Sequence, residues 1–358
     1  MVAEKVRGCR PVATVQGVNN VLLRLFEGKD MFHMTTVARK PWQVELALYM
    51  TIKGEVAVGY TNRTLDSEGN EVFFLLLERD DKEIQLEDWL RGLSERGIGI
   101  AIAAETTRGY HAVSIQHFES KHEIVNVLHD LAQWNIIDNG IYELARIRTE
   151  QDAPFTNILR YNGKYKQNDI IVRRWLPPPT RWHVQILQLY AKKATLEISA
   201  TRIANGCPGF TGKSTEATRT GLDIHETWEY KMAKQGWIIE KELTYRMGNL
   251  LFRCYVDALR KKADHVEVLE LKSTEKAAAN WRAELQLEVE CALAALTYNK
   301  PTHCHVVTPN GKTFYEVQIE PEHAARHLLQ LHASMTHAPN CGMCIWKSWC
   351  RGWRHDVE

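Results

Sequence analysis

One acidic and one basic side chain lie two positions apart at the end of a predicted strand, an arrangement that suits metal-assisted chemistry. Residues 266–272 read Val-Glu-Val-Leu-Glu-Leu-Lys. The two-residue repeat of a β-strand places Glu270 and Lys272 on one face and Leu271 on the other. A carboxylate next to an ammonium group at a strand end is an arrangement that holds a divalent cation and positions a water molecule.

Three further residues precede or follow this segment in an order that strengthens the interpretation. Asp257 lies at the end of an apolar run, His225 lies on a predicted helix, and Gln286 lies on the helix after the lysine. Hydrolysis of a phosphodiester needs hard oxygen ligands for Mg²⁺, a metal-bound water and a cation that offsets the developing charge. Any one acid is commonly a solvated strand residue, but the ordered set is much less expected by chance.

The set resembles the RecB-like nucleases of the PD-(D/E)xK superfamily over residues 196–358. Residues 221–226 resemble the histidine motif of that family, Asp257 its first acid, and Glu270-Leu271-Lys272 its D/E-x-K motif. The resemblance implies a restriction-endonuclease-like α/β core that cuts DNA, usually at a single-stranded end.

The same resemblance implies the role of each site residue. His225, Asp257, Glu270 and the Leu271 carbonyl oxygen would be ligands of Mg²⁺ or Mn²⁺, and Lys272 would be the catalytic lysine. Gln286 matches the glutamine of the following helix motif. That motif often has tyrosine four residues later, where this chain has Glu290.

Cysteines flank this acidic core on both sides. Cys341, Cys344 and Cys350 follow it with the spacing Cys-x₂-Cys-x₅-Cys, and Cys207 precedes it. Two thiols separated by two residues reach one metal centre, and Cys207 is the candidate fourth ligand. A shared centre would join the two ends of the domain and remove the closure entropy of a long loop.

This layout resembles the iron–sulfur branch of the RecB-like nucleases, which includes the AddB-type recombination nuclease and the exonuclease of CRISPR adaptation. The resemblance implies a structural [4Fe–4S] cluster on Cys207, Cys341, Cys344 and Cys350. Four cysteines also suit zinc, and spacing does not separate the two.

The N-terminal half carries a second group of acids. Glu78 and Asp80 end an apolar run, His111 follows a glycine-containing turn onto a predicted strand, and Asp138 follows an apolar pair. Two acids two positions apart on a strand face one metal, and a turn that delivers a histidine suits a phosphate. The accompanying basic residues are Arg108, Arg146, Arg148, Arg160 and Lys164.

This order resembles the archaeo-eukaryotic primase superfamily over residues 70–165. The resemblance implies Glu78, Asp80 and Asp138 as metal ligands and His111 as a contact of the nucleotide phosphate. Two departures stand out: the first acid is glutamate where the family usually has aspartate, and the Thr106-Thr-Arg turn lacks the commoner Ser-Gly. The segment is therefore expected to bind nucleotide or DNA whether or not it polymerises.

Composition sets the limits of these interpretations. The 358 residues include 45 Lys+Arg and 44 Asp+Glu, with a net charge of +1 and 44% hydrophobic residues. These values exclude disorder as the main state. Because the net charge is near zero, any binding of DNA must use local patches of positive charge. The apolar run 97–104 is too short to span a membrane, and residues 1–11 lack the apolar core of a signal peptide. We expect a cytoplasmic protein without a membrane partner.

A mixed α/β architecture in two domains positions these residues. Three consecutive prolines, 177–179, favour a boundary, which predicts a primase-like domain at 1–175, a connector rich in Pro, Trp and Arg at 176–195, and a nuclease domain at 196–358. Apolar periodicity predicts the elements. The predicted strands are 71–77, 98–104, 110–116, 141–148, 158–161, 243–245, 250–258, 266–272, 304–307 and 314–318. The predicted helices are 84–96, 121–134, 199–206, 221–235, 275–298 and 322–337.

The sequence leads to one main functional hypothesis and two alternatives. The main hypothesis is a metal-dependent nuclease of single-stranded DNA, with a cluster and a primase-like domain that binds DNA or nucleotide. By analogy it would serve replication, repair or recombination of a virus or another mobile element. One alternative is an active primase–polymerase with an accessory nuclease domain. The other is a DNA-binding adaptor without catalysis, which holds a structural zinc ion.

Overall fold

Two compact units divide the chain. The computed structural model describes residues 32–50, 56–162, 170–176, 180–191, 194–207, 209–212, 216–335 and 341–346. Unit 1 comprises Met1–Leu76, His117–Asn168 and Thr180–Leu189, and unit 2 comprises Leu77–Gln116, Asp169–Pro179 and Tyr190–Glu358. The units therefore interleave along the sequence.

Strands and helices alternate through the described residues. The strands are β1 (Phe32–Met34), β2 (Leu46–Met50), β3 (Val56–Thr61), β4 (Arg63–Leu65), β5 (Glu71–Arg79), β6 (Ile100–Glu105), β7 (Tyr110–Phe118), β8 (Ile158–Asn162), β9 (Ile170–Trp175), β10 (Ala194–Ser199), β11 (Ile238–Met247), β12 (Leu250–Lys261), β13 (Val266–Leu271), β14 (Thr302–Val307) and β15 (Thr313–Ile319). The helices are α1 (Leu86–Glu95), α2 (Lys121–Gln133), α3 (Asn139–Glu150), α4 (Arg181–Ala191), α5 (Ala200–Ala204), α6 (Glu216–Lys234), α7 (Glu275–Ala278), α8 (Trp281–Tyr298) and α9 (Pro321–Ala333). The mixed α/β class is thus confirmed.

Unit 1 contains an antiparallel sheet with the strand order β1-β2-β3-β8. Its core includes Trp182, whose ring stacks on Phe74 with centroids 4.2 Å apart. A buried amide ties neighbouring segments together, because Asn62 Nδ2 donates to the Phe74 carbonyl and to Thr156 Oγ1. Buried polar groups of this kind are satisfied by hydrogen bonds instead of water.

Unit 2 is built on a mixed sheet in which β15, β14, β13, β12, β10, β9 and β6 are successive neighbours, while β11 pairs with β12. Strands β12 and β13 are antiparallel, whereas β13 and β14 are parallel. The alternation on β13 buries Val266 and Val268 against helix α8, where Leu287 and Cys291 are also fully buried. This packing fixes α8 over the strands that carry the predicted nuclease residues.

Two predictions about secondary structure are corrected. Residues 141–148, predicted as a strand, lie in helix α3. Among the described residues of this helix only Ala145 is fully buried, so its apolar residues do not show the spacing typical of a helix. The predicted long helix 275–298 is interrupted, because the Asn280 side chain accepts a hydrogen bond from the Arg282 N–H and starts α8 anew. The other predicted elements are confirmed, with ends that differ by a few residues.

The predicted domain boundaries stay a prediction. Within the predicted connector 176–195, residues 181–191 form helix α4 and β10 begins at Ala194, while the prolines 177–179 lie outside the described residues. None of the helices in the described part of the chain is long and apolar enough to cross a membrane.

The core of unit 2 generates a first prediction. Leu287→Ala removes a fully buried side chain under the sheet, so we expect the free energy of unfolding to fall by about 2–5 kcal/mol. Equilibrium unfolding in urea measures this change. Leu329→Ala on α9 is the matched control, because Leu329 is 45% exposed and should change the free energy by less than about 0.5 kcal/mol. Equal effects of the two substitutions would contradict the assigned packing.

Candidate active site

Neighbouring strands β12 and β13 bring two of the predicted acids close together in unit 2. Asp257 lies on β12 and Glu270 on β13, and the strands pair from Ala258–Leu269 onward. Asp257 is joined to β13 directly, because the Leu271 backbone N–H donates to its Oδ2 at 2.7 Å. This bond leaves the other carboxylate oxygen, Oδ1, to face helix α6.

Lys272 is held by two acceptors next to these acids. Its Nζ donates to Glu270 Oε1 at 2.5 Å and to Gln286 Oε1 at 3.1 Å. Gln286 Nε2 donates to the same oxygen of Glu270 at 2.9 Å, which orients the amide with its carbonyl toward the lysine. The structure thus brings Glu270, Lys272 and Gln286 together; the alternation of β13 predicts the first two, and the resemblance to a nuclease family predicts the third.

A fourth member of this group is Glu290, which is fully buried. Its Oε1 accepts a hydrogen bond from Gln286 Nε2 at 2.8 Å. Among the described residues no partner reaches the second oxygen of Glu290 or the second oxygen of Glu270. The position where the resembled motif often has tyrosine therefore holds a carboxyl group inside the lysine pocket.

Helix α6 supplies the imidazole and an additional acid. His225 Nδ1 lies 3.8 Å from Asp257 Oδ1 and 3.9 Å from Glu229 Oε1. One ligand atom from each of these three residues lies within 4.8 Å of the others. Glu229 is one helical turn after His225 on the same face of α6, which brings its carboxylate to the same point.

Burial and mutual repulsion shift the pKa values of the acids upward. Burial raises the pKa of the Asp257 carboxyl well above its usual range, and the charge of Glu270 adds to the shift, while the hydrogen bond from Leu271 opposes it. Burial likewise raises the pKa of Glu290, with added repulsion from Glu270 and Asp257. These acids therefore favour a bound proton or a nearby cation.

The two basic groups shift in opposite directions. Burial alone would lower the pKa of Lys272, but the charge of Glu270 and its hydrogen bond outweigh burial and raise the pKa overall. Burial lowers the pKa of His225 against the opposing charge of Glu270. Lys272 is thus held as an ammonium and His225 as a neutral imidazole, which is the form that binds metals.

Three of the four predicted cysteine ligands lie in one region of unit 2. The backbone of Gly212 pairs with Cys344, and the Ile345 N–H donates to the Thr211 carbonyl at 3.0 Å. Burial raises the pKa of the Cys207 thiol, and the charges of Cys344 and Cys341 raise it further. Cys350 lies outside the described residues.

Two of the predicted primase-like residues are in contact. His111 is 1% exposed; its Nε2 lies 3.1 Å from Glu78 Oε1, and its Nδ1 lies 3.1 Å from the Tyr190 hydroxyl. Both ring nitrogens therefore already have partners, so a phosphate contact through His111 would require one of them to open. Asp80 is exposed after β5 in unit 2, whereas Asp138 belongs to unit 1.

The predicted basic contacts are distributed between the units. Arg108 is exposed in the turn before β7 of unit 2, and Arg160 is half-buried on β8 of unit 1. On α3, Arg146 pairs with two glutamates, and the largely buried Arg148 donates to the Thr156 carbonyl at 3.1 Å. Burial lowers the pKa of Arg148, which fits a structural use of its donors. Lys164 lies outside the described residues.

The sequence reasoning missed Glu229 as a site residue and noted Glu290 only as a departure. The spacing of four residues from His225 was a usable signal for Glu229, because helical neighbours share a face. For Glu290, four residues after Gln286, the same signal was present. The convergence of each acid on its site depends on the packing of α6 and α8, which no local pattern specifies.

Comparisons with known proteins give limited similarity. No family model matches the chain, and no curated protein matches it either. The crystal structure of SSO0001 is similar over 43% of this chain and 85% of its own, with 16% identity and a TM-score of 0.32. The "Putative exonuclease" from Eubacterium rectale is similar over 39% of this chain and 54% of its own, with 11% identity and a TM-score of 0.21. At these TM-scores the similarities carry no argument about the site.

The pKa shift of Glu290 generates a second prediction. An acid whose pKa is raised in the folded state stabilises the fold at low pH, and this contribution is lost as pH rises toward the folded pKa. Glu290→Gln copies the neutral acid at every pH. In metal-free buffer we expect the variant to match the wild type most closely at pH 4, below the ordinary glutamate pKa, and to exceed its free energy of unfolding at pH 8.

Urea unfolding at the two pH values measures the effect. One pKa unit corresponds to about 1.4 kcal/mol, and we expect a difference of at least that size at pH 8. Glu284→Gln, a half-exposed glutamate on the same helix, is the control. Parallel pH profiles for the wild type and Glu290→Gln would contradict the shifted pKa.

Proposed function

We propose that the protein is a metal-dependent nuclease that hydrolyses phosphodiester bonds of DNA. The proposal rests on one observation: Lys272 is fixed between Glu270 and Gln286 beside Asp257, while His225 and Glu229 converge on the same acid from helix α6. A group of this composition has the parts that phosphodiester hydrolysis needs, namely oxygen ligands, an imidazole and an ammonium group.

Lys272 is the residue that would act on the attacking water and the phosphate. An ammonium group has three donors, of which Glu270 and Gln286 take two. The third donor would orient the water whose oxygen attacks phosphorus, and the positive charge would offset the charge that develops on the phosphate oxygens. The lysine side chain is 22% exposed, so a substrate can approach it.

The residues present fit a divalent metal ion. Asp257 Oδ1 and the Glu229 carboxylate face each other beside a neutral imidazole, and Glu270 has a buried oxygen without a partner among the described residues. Asp257, His225, the Leu271 carbonyl oxygen and the second oxygen of Glu270 would hold the ion, with Glu229 as an additional ligand. When bound, the ion would polarise the phosphate and lower the pKa of a water. Imidazole beside carboxylates suits Mn²⁺ better than Mg²⁺.

The cysteines are proposed to hold a metal centre with a structural role. Cys207, Cys341 and Cys344 interact electrostatically in one region, which supports a shared group. Their sulfur atoms do not form a set within 4.8 Å of one another in the described structure. Four cysteines suit a [4Fe–4S] cluster or a zinc ion, and the iron, sulfide and zinc content of the purified protein distinguishes the two.

Single-stranded DNA is the proposed substrate class. Tyr255 lies two residues before Asp257 on β12, about 6.6 Å along the strand, and is 53% exposed. The Arg253 guanidinium lies 5.1 Å from the centre of its ring and donates to its hydroxyl. An exposed aromatic ring supported by a cation is a platform for an unpaired base. Trp346, by contrast, is fully buried and offers no such surface.

The primase-like activity stays a separate proposal for the N-terminal half. The contact between His111 and Glu78 is the observation that favours a polar site there. Incubation of the protein with a primed template and nucleotides tests this activity. If the protein degrades DNA but does not extend the primer, only the nuclease proposal is retained. Neither activity would favour the adaptor alternative.

The role of Lys272 gives a third prediction. Lys272→Ala removes the ammonium group from the site, so we expect degradation of labelled single-stranded DNA with Mn²⁺ to fall at least about 100-fold. Lys276→Ala, which changes an exposed lysine on α7, should leave the rate unchanged. Gel analysis of the fragments measures both. A Lys272→Ala protein that still degrades DNA at the normal rate would refute the proposed nuclease mechanism.

Glu229 gives a fourth prediction. Glu229→Gln keeps the size of the side chain but removes a charged ligand, so we expect the Mn²⁺ concentration for half-maximal activity to rise about tenfold or more. The matched control is Glu226→Gln, because Glu226 is exposed on the same helix and is outside the ligand group. An unchanged Mn²⁺ requirement in Glu229→Gln would remove Glu229 from the ligand set.

A further inference from the structure

Two buried arginines lie near the cysteine region and contact the same carboxylate. Arg174 on β9 is 1% exposed and Arg202 on α5 is 7% exposed. Both contact the same carboxylate, because Glu87 pairs with Arg174 and its other oxygen lies 3.5 Å from Arg202 Nη2. The charge of Glu197 also acts on Arg202. Burial lowers the pKa of Arg202 to about 10, and repulsion from Arg174 contributes to that shift. Arg174 thus depends on a carboxylate that it shares with Arg202.

Arg174 also has unused donors. Its Nη2 takes part in the pair with Glu87, but Nε and Nη1 are buried without a hydrogen-bond partner among the described residues. A buried guanidinium N–H without an acceptor is destabilising, because its lost hydration is not replaced. Such a cost indicates that an acceptor belongs at this position.

Residues adjacent in sequence to two of the cysteines lie near Arg174 and its strand. The Arg174 guanidinium lies 5.6 Å from the ring centre of Trp346, two residues after Cys344. Its charge interacts with Cys344 and Cys207. Gly209, two residues after Cys207, lies so close to the end of β9 that a Cβ there would be 2.0 Å from Leu176 Cδ2 and 2.8 Å from the Trp175 carbonyl oxygen.

We propose that Arg174 is a positioning residue for the cysteine-bound group, whose negative charge it neutralises and whose sulfur atoms accept its free N–H donors. Four thiolates around a divalent zinc ion or a [4Fe–4S] core leave a net negative charge, so both groups present the same chemistry to Arg174. This inference rests on the cysteine-bound centre proposed above and is independent of the nuclease reaction. It also gives residues of the predicted N-terminal half, Arg174 and Glu87, a role at a site formed by C-terminal cysteines.

The test uses the purified full chain and begins with its iron, sulfide and zinc content. Arg174→Gln removes the charge, Arg174→Lys keeps it, and Glu87→Gln removes the competing negative charge. The matched control is Arg173→Gln, because Arg173 is the neighbouring arginine on β9 and pairs instead with Glu105 and Glu197. Circular dichroism checks that each variant is folded.

With an iron–sulfur cluster, the readout is its midpoint potential. Loss of the positive charge favours the less negative, oxidised form, so Arg174→Gln should raise the ratio of oxidised to reduced cluster at fixed potential at least tenfold, or 59 mV for one electron. Glu87→Gln should shift the potential in the opposite direction. Arg174→Lys and Arg173→Gln should match the wild type.

With zinc, the readout is the rate of metal loss to a chelator, which should be at least tenfold faster in Arg174→Gln and slower in Glu87→Gln. The proposal is overturned if Arg174→Gln and Glu87→Gln both behave like the wild type, if they shift in the same direction, or if the protein contains neither metal. If Arg174→Gln does not fold, the direction of the Glu87→Gln shift decides alone. Each of these failures leaves the Lys272→Ala test of the nuclease unaffected.

Discussion

The candidate site depends on one interaction, the hydrogen-bonded ion pair between Lys272 and Glu270 at the end of β13. The pair is largely buried, and a buried charge without a partner would cost several kcal/mol. Gln286 and Glu290 complete the set of partners from α8, and Asp257 enters through its hydrogen bond with the Leu271 backbone. Removal of Glu270 would therefore disturb the others, since its charge raises the pKa of both Asp257 and Glu290. The pair therefore requires α8 to lie over the sheet, and the buried apolar residues of α8 fix that position.

The sequence was sufficient to predict most elements around the site. Alternation identified β12 and β13, and the spacing of apolar residues identified α6 and α8, because these elements bury one face each. Prediction failed at 141–148, where helix α3 buries little apolar surface and so leaves a weak periodic signal. The apolar spacing does not predict the break at Asn280 either, because the break depends on a capping hydrogen bond of this side chain.

Within the site, contacts between residues close in sequence could be predicted, and contacts between distant residues could not be predicted from local patterns. Glu270, Leu271 and Lys272 are local neighbours, so the strand period alone placed them. Their meeting with Gln286 was predicted through the resemblance to a nuclease family. Arg174 gave no signal at all, because its relation to the cysteines arises from contacts between residues far apart in sequence. Charge compensation inside a fold is a property of packing, and no composition or motif reports it.

Strand β11 contributes no ligand, yet its backbone changes conformation opposite Asp257. Its pairing with β12 passes from Ile239–Ala258 to Lys241–Val256, and Glu240 between them has a φ of 46°. A left-handed conformation in a residue with a side chain costs of order 1 kcal/mol, so the surrounding sheet must enforce it. Because a slip of one residue would exchange the two faces of the strand, the length of β11 is constrained by the register that it keeps opposite Asp257. An insertion or deletion in this strand would therefore change the register opposite Asp257 and displace Glu240, whose charge acts on His225 and Glu229.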